Sequence, residues 1–429
     1  MNLILKTTLV CVFYVLSFVA VSQNPKPQKI TDVDSIRLER QKQMARWEAE
    51  RAEREAKARA AFIAGLDKLN PDSVTLLNMQ NLGLTELPDL SRFYRLKKIN
   101  ASGNKIKHFR KRDFVSDSLT TVVLSDNPVK RVCFPAGSPI QNVVMQNCNL
   151  KRVPCSVKKL KHIRSLDFTK NRIKRVPRYV KNRPNLNEIN FNFNRIKFNG
   201  RVVNRTGGIG RVLLAGNHIE KLPENTGSMT GVRKLNLADN MLSELPVSFG
   251  ELDSLESVIF YKNRFRNIPE EIFEIPQLKE MDFYYNNIDK LPDEFNRLAH
   301  LKRVYLSYNN FTSLPKSLAG LKELEFIYVH HNNLSFIPGW ITELPVLSVL
   351  DAGYNNLISV PDLSKMATLK EVDLQSNNLE DIPWELLVKP GIKRVFLRNN
   401  PFIKEGDDLI KLQKLVKKRA SEGVNIYID

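Results

Sequence analysis

Two sets of side chains in this sequence have the types and spacing to do chemistry, and both recur with one period. The first is aromatic. Tyr261, Tyr284, Tyr285, Tyr305, Tyr308, Phe326, Tyr328, His330 and Tyr354 fall at related places about 23 residues apart, edged by Asp282 and Asp351 and by Glu280, Glu371 and Asp373. Aromatic side chains give large contact area at low entropic cost and are enriched in binding hot spots. A cluster of this kind suits recognition of a protein or a glycan. The second set is cationic. Lys130 and Arg131, Lys151 and Arg152, and Lys174 and Arg175 hold matching places in successive periods, preceded by Lys107 and His108 and accompanied by Arg172 and Arg195. Stacked about 4.8 Å apart, they would form a ladder able to hold a polyanion such as an acidic polysaccharide or lipid head groups. Aromatic interleaving there is poor (Tyr179, Phe193 and Phe198), which argues against single-stranded nucleic acid as the partner.

The charge is as local as the ladder. The whole chain carries +20, yet Arg95–Arg211 alone holds 28 Lys plus Arg against five acids, a balance of +23, which leaves about −3 for the rest. A solvated flank kept soluble by charge is the other reading of this segment. Cys133 and Cys155 lie one period apart at nearly matching places, so they could bridge in an oxidising compartment. The four cysteines include no Cys-x-x-Cys pair and no Cys/His cluster. His330-His331 beside Asp351 is the nearest thing to a metal set. Successive strand residues point to opposite faces unless the chain is already turning, so no metal site is assigned. There is no Gly-rich phosphate loop and no Ser or Cys nucleophile with a partnered His. No cofactor is expected, and the chain reads as a binding protein rather than an enzyme.

The element that must position these side chains is a repeated sentence, clearest at 301–315: LKRVYLSYNNFTSLP. Val304 and Leu306 are two apart, as on one face of a strand, while Arg303, Tyr305 and Ser307 face the other way. Asn309 then holds a polar slot where its amide can satisfy backbone groups as the chain turns. Phe311 and Leu314 turn inward again. The slot recurs at Leu82, Asn104, Asn127, Cys148, Asn171, Asn194, Asn217, Asn240, Asn263, Asn286, Asn309, Asn332, Asn355, Asn377 and Asn400, which makes fifteen turns. One turn cannot bury its own apolar side, so stacking must make the core. The aromatics occupy places six, four, two and one before the slot. Strand propensity explains single tyrosines there, but not their confinement to five neighbouring turns.

Over residues 74–402 this pattern resembles the leucine-rich repeat family. Its 23-residue length and Leu-Pro steps (Leu222-Pro223, Leu245-Pro246, Leu291-Pro292, Leu314-Pro315) look like the Ras-group subclass. The resemblance implies an α/β solenoid: a curved right-handed horseshoe with a parallel concave sheet, short helical turns on the convex side and helical caps. It also implies binding of proteins or glycans on the concave face. Cys148 is a known substitute in the Asn slot, and Leu82 departs from it as terminal repeats often do.

The ends organise as follows. Residues 1–22 match a secretory signal, with Lys6 before an apolar run too short for a spanning helix. Residues 23–34 form a polar linker. Residues 35–70 form a charged helix and N-terminal cap, broken at Asn70-Pro71. The array covers 71–402, and 403–429 supply a C-terminal helix and a last strand. Residues 197–210, with Gly207-Gly208 and no Leu-Pro step, are expected to be a looser outer loop. The expectation is an exported binding protein, secreted or in the cell envelope. The alternatives are a surface adhesin that uses the basic ladder, or a cytoplasmic scaffold if the N-terminal segment is not a signal. Oligomeric state is left open.

Overall fold

The computed structural model describes residues 33–114, 116–402 and 406–428. The leader and most of the linker lie outside the described residues. The chain divides into two compact units, 1–57 and 58–429. The helix α1 (Val33–Leu66) runs through the division. In the first unit its residues 36–54 are all exposed, as expected of a helix whose faces are charged all round.

The second unit is built on sixteen parallel strands in chain order, from Leu76–Asn78 to Asn425–Tyr427. Each is three residues long with its middle residue buried, and the register never slips: Arg303, Val304 and Tyr305 pair with Phe326, Ile327 and Tyr328. Fifteen strands come from the fifteen turns and the last from the C-terminal segment. Across from the sheet, prolines open short 3-10 turns. Pro315 holds φ −73° and ψ 148° before Lys316–Gly320, and Pro246, Pro269 and Pro338 do the same. A missing N–H costs nothing at such a start. The two expected inner columns, Phe249, Ile272, Phe295, Leu318, Ile341 and Leu252, Ile275, Leu298, Leu321, Leu344, are all buried.

The slot asparagines bind turn to turn. Asn309 Nδ2 donates to the carbonyls of Phe283 (3.0 Å), Leu306 (2.9 Å) and Ser307 (3.3 Å), and its Oδ1 accepts from the Ile288 amide (3.0 Å). The same set recurs at Asn104, Asn171, Asn240 and Asn400. Cys148 does half of this work. Its thiol donates to Leu124 and Gln146 carbonyls at 3.3 Å, but it offers no amide oxygen, and the Val129 amide turns to the Asn127 carbonyl instead. Burial pushes the Cys148 thiol up to about 11, so it stays protonated and inert.

Residues 197–210 differ from the expected loop. They contain α2 (Gly200–Thr206), capped by the Asn199 side chain, which accepts from the amides of Arg201 and Val202. Val202, Val203 and Thr206 bury one side of the helix, and Gly207-Gly208 ends it rather than loosening it. The array closes with α3 (Trp384–Val388), which packs beside the 3-10 turn Leu363–Lys365, and with α4 (Asp407–Ser421), which buries Leu412 under the last strand. At the other end Leu66 is buried and Phe62 packs on the core, while Arg92 Nη2 donates to the carbonyls of Leu66, Asp67 and Leu69 as α1 finishes. Among the described residues no helix is long and apolar enough to cross a membrane.

Candidate functional site

The geometry of the aromatic face starts with one backbone angle. In all fifteen turns the residue before the slot is left-handed, with φ between 50° and 68°. Gly103, Gly216, Asn81, Asp126, Asn147 and Asp239 take this place at little cost. Four consecutive turns fill it instead with Tyr285, Tyr308, His331 and Tyr354. Their rings form one stack. Tyr285 and Tyr308 are 4.2 Å apart at 13°, Tyr308 and His331 4.0 Å at 10°, and His331 and Tyr354 4.1 Å at 16°. The outer members are 41% and 43% exposed and the two inner rings are half-buried.

Two further columns run beside it. Two places before the slot, Tyr261 and Tyr284 stack at 5.4 Å, and Tyr284 meets His330 at 5.6 Å across Ser307. Four places before it, Tyr305 and Tyr328 stack at 4.9 Å and 4°, with Asp282 on one neighbouring strand and Asp351 and then Asp373 on the other side. Phe326, six before the slot, is half-buried on the same strand as Tyr328. The sequence-derived aromatic set is thus brought together on one face. His331 holds the same place, one before the slot, as Tyr285, Tyr308 and Tyr354. A strand reading sends it to the side opposite His330, whereas its left-handed backbone turns the two rings to 5.2 Å of each other. Phe396 and Tyr427, stacked at 4.5 Å under Arg398, are a further pair supplied by the C-terminal strand.

The electrostatics of the face follow from burial. Desolvation pushes Asp282 to about 7, and Asp351 to about 7 with Asp373 adding its charge. Asp373 rises to about 6, again mainly by burial. His330 falls to about 4 because it is buried and His331 is adjacent. His330 Nδ1 stands 3.7 Å from Asp351 Oδ2, beyond hydrogen-bond length, so burial prevails over pairing at both. The hydroxyls of Tyr284, Tyr305 and Tyr328 are raised by burial, Tyr305 to about 12. Glu280 and Glu371 are engaged, by Arg303 and Lys234 and by Arg394 respectively. Ser307 Oγ and His331 Nδ1 are buried with no partner among the described residues. The face therefore offers flat rings, neutral imidazoles and carboxyls held well above the usual carboxylate range. Among the described residues no group of three His, Cys, Asp or Glu could hold a metal.

The basic ladder lies elsewhere on the array. Lys130, Arg131, Lys151, Arg152, Arg172, Lys174, Arg175 and Arg195 are all exposed. A two-stranded parallel sheet, His108–Phe109 with Arg131–Val132, sets part of its register by pairing His108 with Arg131. The Cys133–Cys155 bridge that the spacing allows is not formed, and both thiols are free. Their nearly matching places in the period hide different backbones. Cys133 extends the small sheet, its amide bonded to the Phe109 carbonyl of the preceding turn, while Cys155 opens the 3-10 turn Cys155–Lys159 and is exposed.

Comparison with known proteins agrees with this architecture. Models described as leucine rich repeat match residues 259–311, 299–357 and 365–382. Curated protein sequences gave no match. Among solved structures, a leucine-rich repeat protein of Leptospira interrogans is similar at a TM-score of 0.68 and 22% identity, over 83% of this chain and 96% of that one. An internalin from Listeria monocytogenes is similar at 0.57 and 18%, over 78% and 87%. A plant peptide hormone receptor, solved in complex with RGF2, is similar at 0.51 and 20%, over 77% of this chain and 64% of the receptor. With the buried asparagine ladder and the sixteen-stranded parallel sheet, these matches identify the chain as carrying leucine-rich repeats folded into a leucine-rich repeat solenoid.

Proposed function

We propose that this chain is an exported, non-enzymatic binding protein that recognises a protein or glycan partner through the aromatic face of its repeats. The observation that carries the reading is the stack Tyr285–Tyr308–His331–Tyr354. A left-handed backbone costs an ordinary residue roughly 1–2 kcal/mol relative to glycine. Strand propensity cannot account for rings at that place, because the residue has already left the strand. Stacking is worth about 0.5–1.5 kcal/mol per pair and offsets part of the cost. An open surface for a ligand accounts for the rest. Export rests on the signal-like residues 1–22 alone. The plant receptor solved with RGF2 is a precedent for a ligand-bound repeat array, on the fold alone.

The test is a parallel capture from the native envelope and medium. The wild type and the Tyr305→Ser/Tyr308→Ser/Tyr328→Ser variant serve as baits of equal melting midpoint. A partner held by the wild type and lost by the variant supports the reading. A partner retained at equal affinity sinks it. The exposed basic ladder supports a second reading, polyanion binding at a surface, because none of its eight cations forms an ion pair among the described residues.

A further inference from the structure

The groove between the 3-10 turn Arg178–Asn182 and α2 gathers four cations around one space, three of them exposed and Arg205 half-buried. It is an open groove of about 520 Å³ lined by Arg178, Lys181, Arg201, Asn204 and Arg205. Arg178 and Lys181 are three apart on one turn, and Arg201 and Arg205 four apart on α2, so each pair shares a face toward the same space. Arg205 is anchored by donating from Nη1 to the Val176 carbonyl. Burial and the nearby guanidiniums of Arg178, Arg201 and Arg175 depress its pKa, which shows how closely the charges crowd. Among the described residues none of Arg178, Lys181, Arg201 and Arg205 forms an ion pair with a carboxylate. Between Asp167 and Glu220 the sequence has one acid, Glu188, and its carboxylate is bonded to Arg211 at 3.2 Å. Like charges on one helix face are destabilising. The ladder cations spread along a flank, whereas these converge.

We propose that this groove is a binding site for a phosphomonoester, held by Arg178, Lys181, Arg201 and Arg205. A phosphomonoester carries a charge near −2 at neutral pH and three acceptor oxygens, and guanidinium forks match it bidentately. The volume exceeds that of a bare phosphate and accommodates a sugar-sized remainder beside Asn204. A soluble sugar phosphate and the head group of phosphatidic acid share this chemistry.

Calorimetric titration of the full chain with glucose-6-phosphate tests it, with glucose-6-sulfate and glucose as comparison probes. Phosphatidylcholine vesicles with and without phosphatidic acid test the lipid source. Arg178→Gln/Arg201→Gln alters exposed side chains and leaves the anchored Arg205 in place; Lys130→Gln/Lys151→Gln removes equal charge from the ladder. The expected result is saturable binding of the sugar phosphate, or of the phosphatidic acid vesicles, weakened roughly tenfold or more in the groove variant and unchanged in the ladder variant. The ligand that binds should raise the melting midpoint of the wild type but not of the groove variant. Absence of saturable binding to both phosphate probes overturns the proposal. Equal loss in the ladder variant, or equal affinity for the sulfate, overturns it as well.

Discussion

A single backbone angle separates the residues that build a turn from those that decorate it. The slot asparagine donates and accepts across two adjacent turns, and the residue before it is left-handed in every turn. The slot was legible in the sequence because its chemistry admits few substitutes. The place before it was legible as part of the face, through Tyr285, Tyr308 and Tyr354, but its left-handed backbone was not, so strand alternation was applied to the pair His330-His331 where the chain is already turning. The carboxyls were legible as types but not as titrating groups, since their burial depends on rings from adjacent turns. Asp351 shows the consequence. Its folded pKa is raised to about 7, so the folded state holds a proton that the unfolded chain releases near pH 4. Stability from this site is therefore lost as pH rises through that window, and the charge is buried at a cost above it. Asp351→Asn should raise the melting midpoint at about pH 8 and leave it nearly unchanged at about pH 5. Equal shifts at both values would contradict a buried, proton-holding carboxyl.

At the scale of elements, α2 is where the array departs from its own rule. It replaces the usual 3-10 turn because Asn199 caps it and because Val202, Val203 and Thr206 fall on one face. That spacing and the capping asparagine were present in the sequence, but Gly207-Gly208 drew the expectation toward a loop. The glycines serve close approach. A Cβ at Gly231 would meet the Gly207 carbonyl at 2.9 Å and the Gly208 Cα at 3.0 Å, so the turn after α2 passes against backbone. Asn199→Ala should cost about 1 kcal/mol by loss of the cap. Gly231→Ala should cost more, because its obstacles are backbone atoms that cannot rotate away. Hydrogen exchange of the α2 amides checks both. Faster exchange is expected in both, and unchanged exchange in one variant would mean that the feature it removes does not hold this element. The unformed Cys133–Cys155 bridge has the same lesson: places one residue apart in the period take different conformations, one continuing the small sheet and the other opening a turn.

For the whole molecule, fold and charge separate along the chain. The fold was almost fully legible, since each turn needs only its neighbours and repeats its requirements fifteen times. The partner was not, since surface positions are free of those requirements. The +23 balance of Arg95–Arg211 gives a prediction at this scale. If the ladder holds a polyanion, binding of the full chain to a soluble acidic polysaccharide should fall steeply with added salt, as counterions are released, and salt-insensitive binding would argue against it. The ring column has a different consequence. Each of its four rings is fixed to a different turn, and its contacts of 4.0–4.2 Å leave no slack. Dispersion between flat rings decays steeply with separation. Any flexing that parts adjacent turns by a few tenths of an ångström must loosen the column. The stack is therefore a strain gauge written into the array, one whose near-ultraviolet signal should report the pitch of the turns before any of them unfolds.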